Sequence, residues 1–149
     1  MKKKSLLIKV SIIYFFLSIS SYAAESDFFI KGVEFFKNEK FEKSKILFER
    51  DIVYNPKSEN SYLYLAKIFN NGENEEQQEI NLNNVLLLNP KNEEALYMLT
   101  LIKISQSDYA KANDLINKFD LVCELFCDKQ KEIKNKLKKL TPENEASNN

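Results

Sequence analysis

The chain has 149 residues, with 22 basic and 22 acidic side chains, 2 glycines, 3 prolines, and neither histidine nor tryptophan. That length holds one domain, and so few Gly and Pro leave too few turns for a many-stranded β fold. Without histidine the commonest general base is missing, and two cysteines without His make a poor zinc site, which usually needs four ligands.

The first segment has a pattern of its own. Met1-Lys2-Lys3-Lys4 is a basic start, Leu6 to Ile19 is apolar apart from Lys9 and two serines, and Ser21-Tyr22-Ala23 puts small residues where a signal peptidase cuts. Residues 1–23 are therefore expected to be a secretory signal, with the mature chain starting at Ala24 or Glu25. The alternative is an uncleaved membrane anchor. Its run from Val10 to Ile19, apolar but for the two serines, is ten residues, against roughly 20 for a bilayer span. Export implies the periplasm or secretion, with no stable membrane insertion after cleavage. Loss of the leader's four lysines leaves 18 basic against 22 acidic residues, a net of −4. An acidic chain lacks the electrostatic footprint of a nucleic-acid binder, and its net charge gives no reason to seek anionic lipid.

Helical spacing begins after residue 24. Phe28 and Phe35, and then Phe41 and Phe48, stand seven apart, while Tyr62, Leu65 and Phe69 stand three to four apart. These are helix-face intervals, not strand alternation. Asn38-Glu39 and Asn70-Asn71-Gly72 interrupt the pattern and read as tight helix–helix turns. Helix pairs are expected at about Ser26–Asn38 with Phe41–Val53, Ser61–Asn70 with Glu75–Leu88, and Glu93–Ser105 with Asp108–Phe119. Ser107 or Asp108 is the expected N-cap of the last.

The triplets Asn55-Pro56-Lys57 and Asn89-Pro90-Lys91 lie 34 residues apart, a repeat period. Units of that length run 25–58, 59–92 and 93–126. The first carries Phe28, Gly32, Phe35, Phe41, Ser44, Phe48 and Pro56. The second carries Tyr62, Leu65, Ala66, Phe69, Leu82 and Pro90. The third carries Leu96, Leu99, Tyr109, Ala112 and Ile116. In this order of aromatic, small and proline positions the chain resembles the tetratricopeptide-repeat family. It departs from it at Ser44 and Gln78, where alanine is preferred, at Thr100 and Lys103, and at Glu124, where the third proline would fall. The resemblance implies an all-α fold, a right-handed superhelical array of about three helix-turn-helix repeats over residues 24–140.

Residues 128–140 carry one narrow apolar stripe, Ile133, Leu137 and Leu140, among lysines. A terminal repeat needs a polar outer face, so this segment reads as a capping helix. A basic helix for acidic partners is the other reading. Residues 141–149 are polar and aperiodic, the pattern of a disordered tail. Cys123 and Cys127 invite a disulfide in an exported chain. In a continuous helix, residues four apart are offset by about 6 Å along the axis, too far for relaxed pairing. The repeat register instead puts both in the turn before a cap starting at Asp128, where the backbone can bend. A disulfide pinning the cap is expected, with two small side chains in a continuous helix as the alternative.

Nothing in the sequence points to catalysis or a cofactor. No nucleophile elbow or phosphate loop is present, and Glu75-Glu76 and Glu93-Glu94 fall at helix starts, where they complement the macrodipole. The family resemblance implies that first helices line a concave face. Phe29, Val33, Phe36, Lys37, Leu63, Lys67, Asn70, Tyr97, Leu101 and Ile104 take those places, although some can equally be core. Family members that grip acidic tails use Lys and Asn where Phe29 and Val33 stand, so an apolar protein or peptide segment is the expected partner. Together with the Lys-, Asn- and Ile-rich composition, this suggests an exported bacterial interaction module. The alternatives are a structural subunit docking by its end repeats and a small enzyme with an unrecognised site.

Overall fold

The computed structural model describes residues 25–141; the expected signal segment and residues 142–149 of the expected tail lie outside this range. Among the described residues there are seven helices and no strand: α1 Asp27–Lys37, α2 Phe41–Tyr54, α3 Glu59–Asn71, α4 Glu75–Leu88, α5 Glu93–Ser105, α6 Tyr109–Val122 and α7 Lys129–Leu140. They pack as three antiparallel pairs, α1/α2, α3/α4 and α5/α6, each against the next, and α7 lies against both α5 and α6. Six of the seven helices fall where the helix pairs were expected. None is long and apolar enough to cross a membrane.

The same backbone device closes every pair. Glu39, Glu73 and Ser107, spaced by the repeat period, have φ of 56°, 54° and 60°. The amide after each one bonds back across the helix end, Lys40 to the Phe35 carbonyl, Asn74 to Phe69 and Asp108 to Lys103, each at 2.9 Å. This is the Schellman closure, in which one left-handed residue ends the helix. Gly72 does not supply it, since its φ is −89°; the left-handed residue is Glu73. Asp108, rather than Ser107, caps α6, accepting from the Lys111 amide.

The pairs approach closely where side chains are small. A Cβ on Gly32 would lie 2.7 Å from the Phe48 ring, which is itself fully buried. Ser44, in the place of the expected alanine, donates to the Gly32 carbonyl at 2.8 Å, so its hydroxyl is satisfied in the core. Thr100 does the same to its own helix through the Leu96 carbonyl at 2.7 Å. Two core clusters result. Phe29, Phe48, Leu65 and Ile68 fill the first interface with Tyr64, and Leu82, Val85, Leu96, Leu99, Leu115, Phe119, Ile133 and others fill the second and run under α7. The buried face of α1 is thus Phe29 and Gly32, while Phe28 stacks on Tyr54 at the rim with centroids 5.6 Å apart.

The turns between pairs are held by the first residue of a unit. The Glu59 carboxylate accepts from the side chains of Asn89 and Asn92, at 3.0 and 2.6 Å. Glu93, one period later, accepts from the backbone amides of Leu125 and Phe126, at 3.0 and 2.8 Å. At the third turn the Asn-Pro-Lys sequence is gone, and Cys123 and Cys127 lie at bonding distance, with Cα atoms 5.3 Å apart, inside the range a disulfide needs. Asp128 is helical and its side chain caps nothing, so α7 begins without the expected side-chain cap; the preceding turn is held from outside, by Glu93. Burial pushes the Glu93 carboxyl up, but the amides of Phe126, Glu124 and Leu125 outweigh it, and the net is a value below 4.5.

Two outcomes follow from these contacts. Gly32→Ala must displace a buried ring, so it is expected to cost about 1–3 kcal/mol and lower Tm by several degrees in thermal unfolding. Glu93 titrates lower folded than unfolded, so its stabilisation is present above the ordinary carboxyl value of 4.5 and is lost as pH falls through the folded value. The Tm gap between wild type and Glu93→Gln should therefore be clear near neutrality and close on acidification; a gap unchanged at low pH would contradict the clamp.

Candidate partner-binding groove

The first helix of each unit faces the first helix of the next, so their exposed edges form the sides of a shallow trough. One depression, about 560 Å³, lies between α1 and α3 and is lined by Phe29, Ile30, Val33, Glu34, Lys37, Asn60 and Tyr64 with Glu25 at its end. A second, about 360 Å³, lies between α3 and α5 near the turn into α4, with Asn70, Tyr97, Met98, Leu101 and Ser105 beside Glu75, Gln78 and Ile102.

The residues expected at a concave face therefore divide. Phe29, Val33 and Lys37 line the first depression, and Asn70, Tyr97 and Leu101 line the second. Phe36 lines neither; it sits edge-on to Phe41 and Tyr64, with centroids 5.5 and 5.0 Å away. Leu63 and Ile104 are buried in the second core cluster, because each first helix is wedged between its own partner and the neighbouring pair. Phe29 is both wall and core, its ring 5.8 Å from those of Phe48 and Tyr64.

Lys67 forms an ion pair with Glu94 at 2.8 Å and lies 5.2 Å above the Tyr64 ring, so its charge ties α3 to α5. The Tyr97 hydroxyl donates to Glu132 on α7 at 2.8 Å, under Lys129. Burial, then Glu132, raises its titration to about 12, and the hydrogen bond from Tyr97 lowers that of Glu132. One side of Tyr97 is thus committed to the cap, and the other is open to the trough. Lys103, which replaces an aromatic of the repeat pattern, pairs with Glu79. Burial raises the Glu79 carboxyl, but bonds from Lys103 and Gln106 leave it lowered overall.

Ile30, Glu34, Asn60 and Tyr64 were not among the expected wall residues. Ile30, Val33, Glu34 and Lys37 follow i, i+3, i+4, i+7 spacing and share one helix face. Ile30, 53% exposed, was thus findable as an apolar residue sharing a face with the charged Glu34 and Lys37.

No family model matches the sequence, and no curated protein matches it. Among solved structures, the TPR domain of Sgt2 from Aspergillus fumigatus is similar, with a TM-score of 0.64 at 14% identity over 76% of this chain and 79% of that one. At that identity the likeness shows the fold, an all-helical tetratricopeptide-like superhelical array.

Wall and core respond differently to charge. Phe36→Asp is expected to lose about 3 kcal/mol or more through its aromatic contacts, whereas Ile30→Asp should stay within about 0.5 kcal/mol of wild type in denaturant unfolding. Equal losses would mean that Ile30 is not free wall.

Proposed function

We propose that this chain is an exported interaction module that holds an apolar segment of another protein along its trough. The observation that carries this reading is the depression between α1 and α3, where the exposed Ile30 stands beside Val33, Phe29 and Tyr64. Aromatic and aliphatic walls with a few polar groups at the rim suit an extended or helical apolar ligand. Here Lys37 and Glu34 at one end, and Asn60 opposite, would fix its direction. The second depression adds Leu101 and Tyr97 on the same line, with Asn70 for a main-chain hydrogen bond. Residues 1–23 serve as the secretory signal, delivering the domain to an oxidising compartment where the Cys123–Cys127 bond persists.

Catalysis is the weaker reading. The buried carboxylate that could have hinted at it, Asp51, accepts from the hydroxyls of Ser26 and Ser61. It joins three helices and lines neither depression.

A photo-crosslinking residue at Ile30 or Leu101 should give a discrete adduct in intact cells, while the same residue at Lys111, on the outer face of α6, should not. Adducts at all three positions, or at none, would defeat the trough as the binding face. N-terminal sequencing of the same material should begin at Ala24 or Glu25, and an intact Met1 on membrane-bound protein would defeat export with cleavage.

A further inference from the structure

The fourth residue of the three units is Phe28, then Tyr62, then Leu96. Phe28 stacks on Tyr54, and Tyr62 packs against the second core cluster. Leucine in the third unit is smaller than either ring, and beside it lies a cleft of about 320 Å³ between the second and third units. Its deepest lining residues are Leu96 and Leu115, 1% and 2% exposed. The second unit contributes Leu86 and Pro90 to its sides, α6 contributes Val122, and the exposed Leu121 stands at the mouth. The volume falls at the low end for small-molecule pockets, which run about 300–1,000 Å³. The cleft shares no lining residue with either depression of the trough.

The remaining lining residues are Lys91 and Lys118. Both are exposed, and neither forms an ion pair among the described residues. Most acids of the neighbouring turns are engaged elsewhere. Glu59 accepts from Asn89 and Asn92, and Glu93 from the amides of Leu125 and Phe126. Glu94 pairs with Lys67, and Asp120 with Lys134. Asp114 and Glu124 are exposed, and neither lines the cleft. One period earlier the places of Leu115 and Lys118 belong to Asn81 and Asn84, and Asn81 donates to the Gln77 carbonyl. An apolar slot with two free ammonium groups is therefore a property of the second junction and not of the repeat.

We propose that this cleft binds one free fatty acid, with its aliphatic chain between the second and third units and its carboxylate at Lys91 and Lys118. No side-chain hydrogen-bond acceptor lines the cleft, so a peptide lying in it would leave amides unpaired. Methylene groups carry no such penalty and gain by leaving water. A volume this small admits a single chain more readily than a two-chain lipid. Two cations at the mouth select an anionic head over an alcohol or a quaternary amine.

Titration calorimetry of the full chain with octanoate, decanoate and dodecanoate, below micelle formation, tests this. One site is expected, with affinity rising by up to about fourfold per added methylene until the cleft is full. Decanol and decyltrimethylammonium should bind roughly three- to tenfold more weakly than decanoate, as two exposed ion pairs allow. Lys91→Glu with Lys118→Glu should remove that preference for decanoate and leave decanol binding as it was. Leu96→Phe, which restores the ring of the first two units, should abolish binding of both. If that variant loses helicity, the lysine variant, changed only at exposed positions, decides alone. Absence of saturable decanoate binding, or binding indifferent to the lysine variant, overturns the proposal. So does a loss of binding in Ile30→Asp in place of the lysine variant, which would put the ligand in the trough. Tighter binding of a short peptide with a free C-terminal leucine than of decanoate would assign the cleft to a protein terminus instead.

Discussion

A helical hairpin of this size has an apolar stripe on two sides. Packing its two helices together covers only one of them. The remaining apolar surface must meet another hairpin, so the stacking interface is the contact on which everything else depends. Its tightness is visible in the Phe48 and Tyr64 rings, stacked 4.9 Å apart across the junction of the first two hairpins; Phe48 is also the ring that leaves no room for a methyl group on Gly32 inside the first hairpin. The rest of the molecule serves that contact. Left-handed residues at each hairpin tip set the helices antiparallel, and carboxylates at the start of the second and third units hold the turns that hand one hairpin to the next. α7 covers the apolar surface that would otherwise end the stack, through Ile133 and Leu137.

The trough is a by-product of this stacking. First helices lie next to one another, and residues pointing at neither neighbour are left along the seam. The wall positions are therefore few, and they differ by unit: aromatic and aliphatic between α1 and α3, more polar between α3 and α5. Ion pairs such as Lys67–Glu94 brace the seam from within the same surface, consuming charge that an unoccupied groove would otherwise present.

Much of this architecture was legible because a helix face and a repeat are both periodic, and a period survives in sequence. The hairpins, their turns and the cysteine pair in the last turn could be read from Phe28 to Leu140 in that way. Side-chain direction was less legible. Phe28 and Phe35 share one helix face by their spacing, yet the aromatic buried on α1 is Phe29. A rotation of one residue on a helix is about 100°, and aromatic pairs on two adjacent sides of α1, Phe28 with Phe35 and Phe29 with Phe36, left the sequence indifferent to it. Leu63 and Ile104 fit a groove register but are enclosed by both neighbours, which no single-helix pattern reveals. The left-handed role of Glu73 was obscured by the glycine just before it. The clamps from Glu59 and Glu93 were invisible for another reason: acids at helix starts already have a sufficient local explanation in the macrodipole.

Asp51 and Ser61 are both fully buried, with the carboxylate accepting from Ser61 and from Ser26. One period further on, the same two places are Val85 and Ala95, again fully buried. The junction between the first and second units is thus keyed by a polar pair, and the junction between the second and third by an apolar one. Joining the first unit directly to the third would set Asp51 against Ala95 and strand a buried carboxylate short of a donor, at a cost of about 1–3 kcal/mol or more. The units share a length and a shape but are not interchangeable parts. Their order along the chain is written into the core, and any shuffling or excision of a unit has to rewrite that position as well.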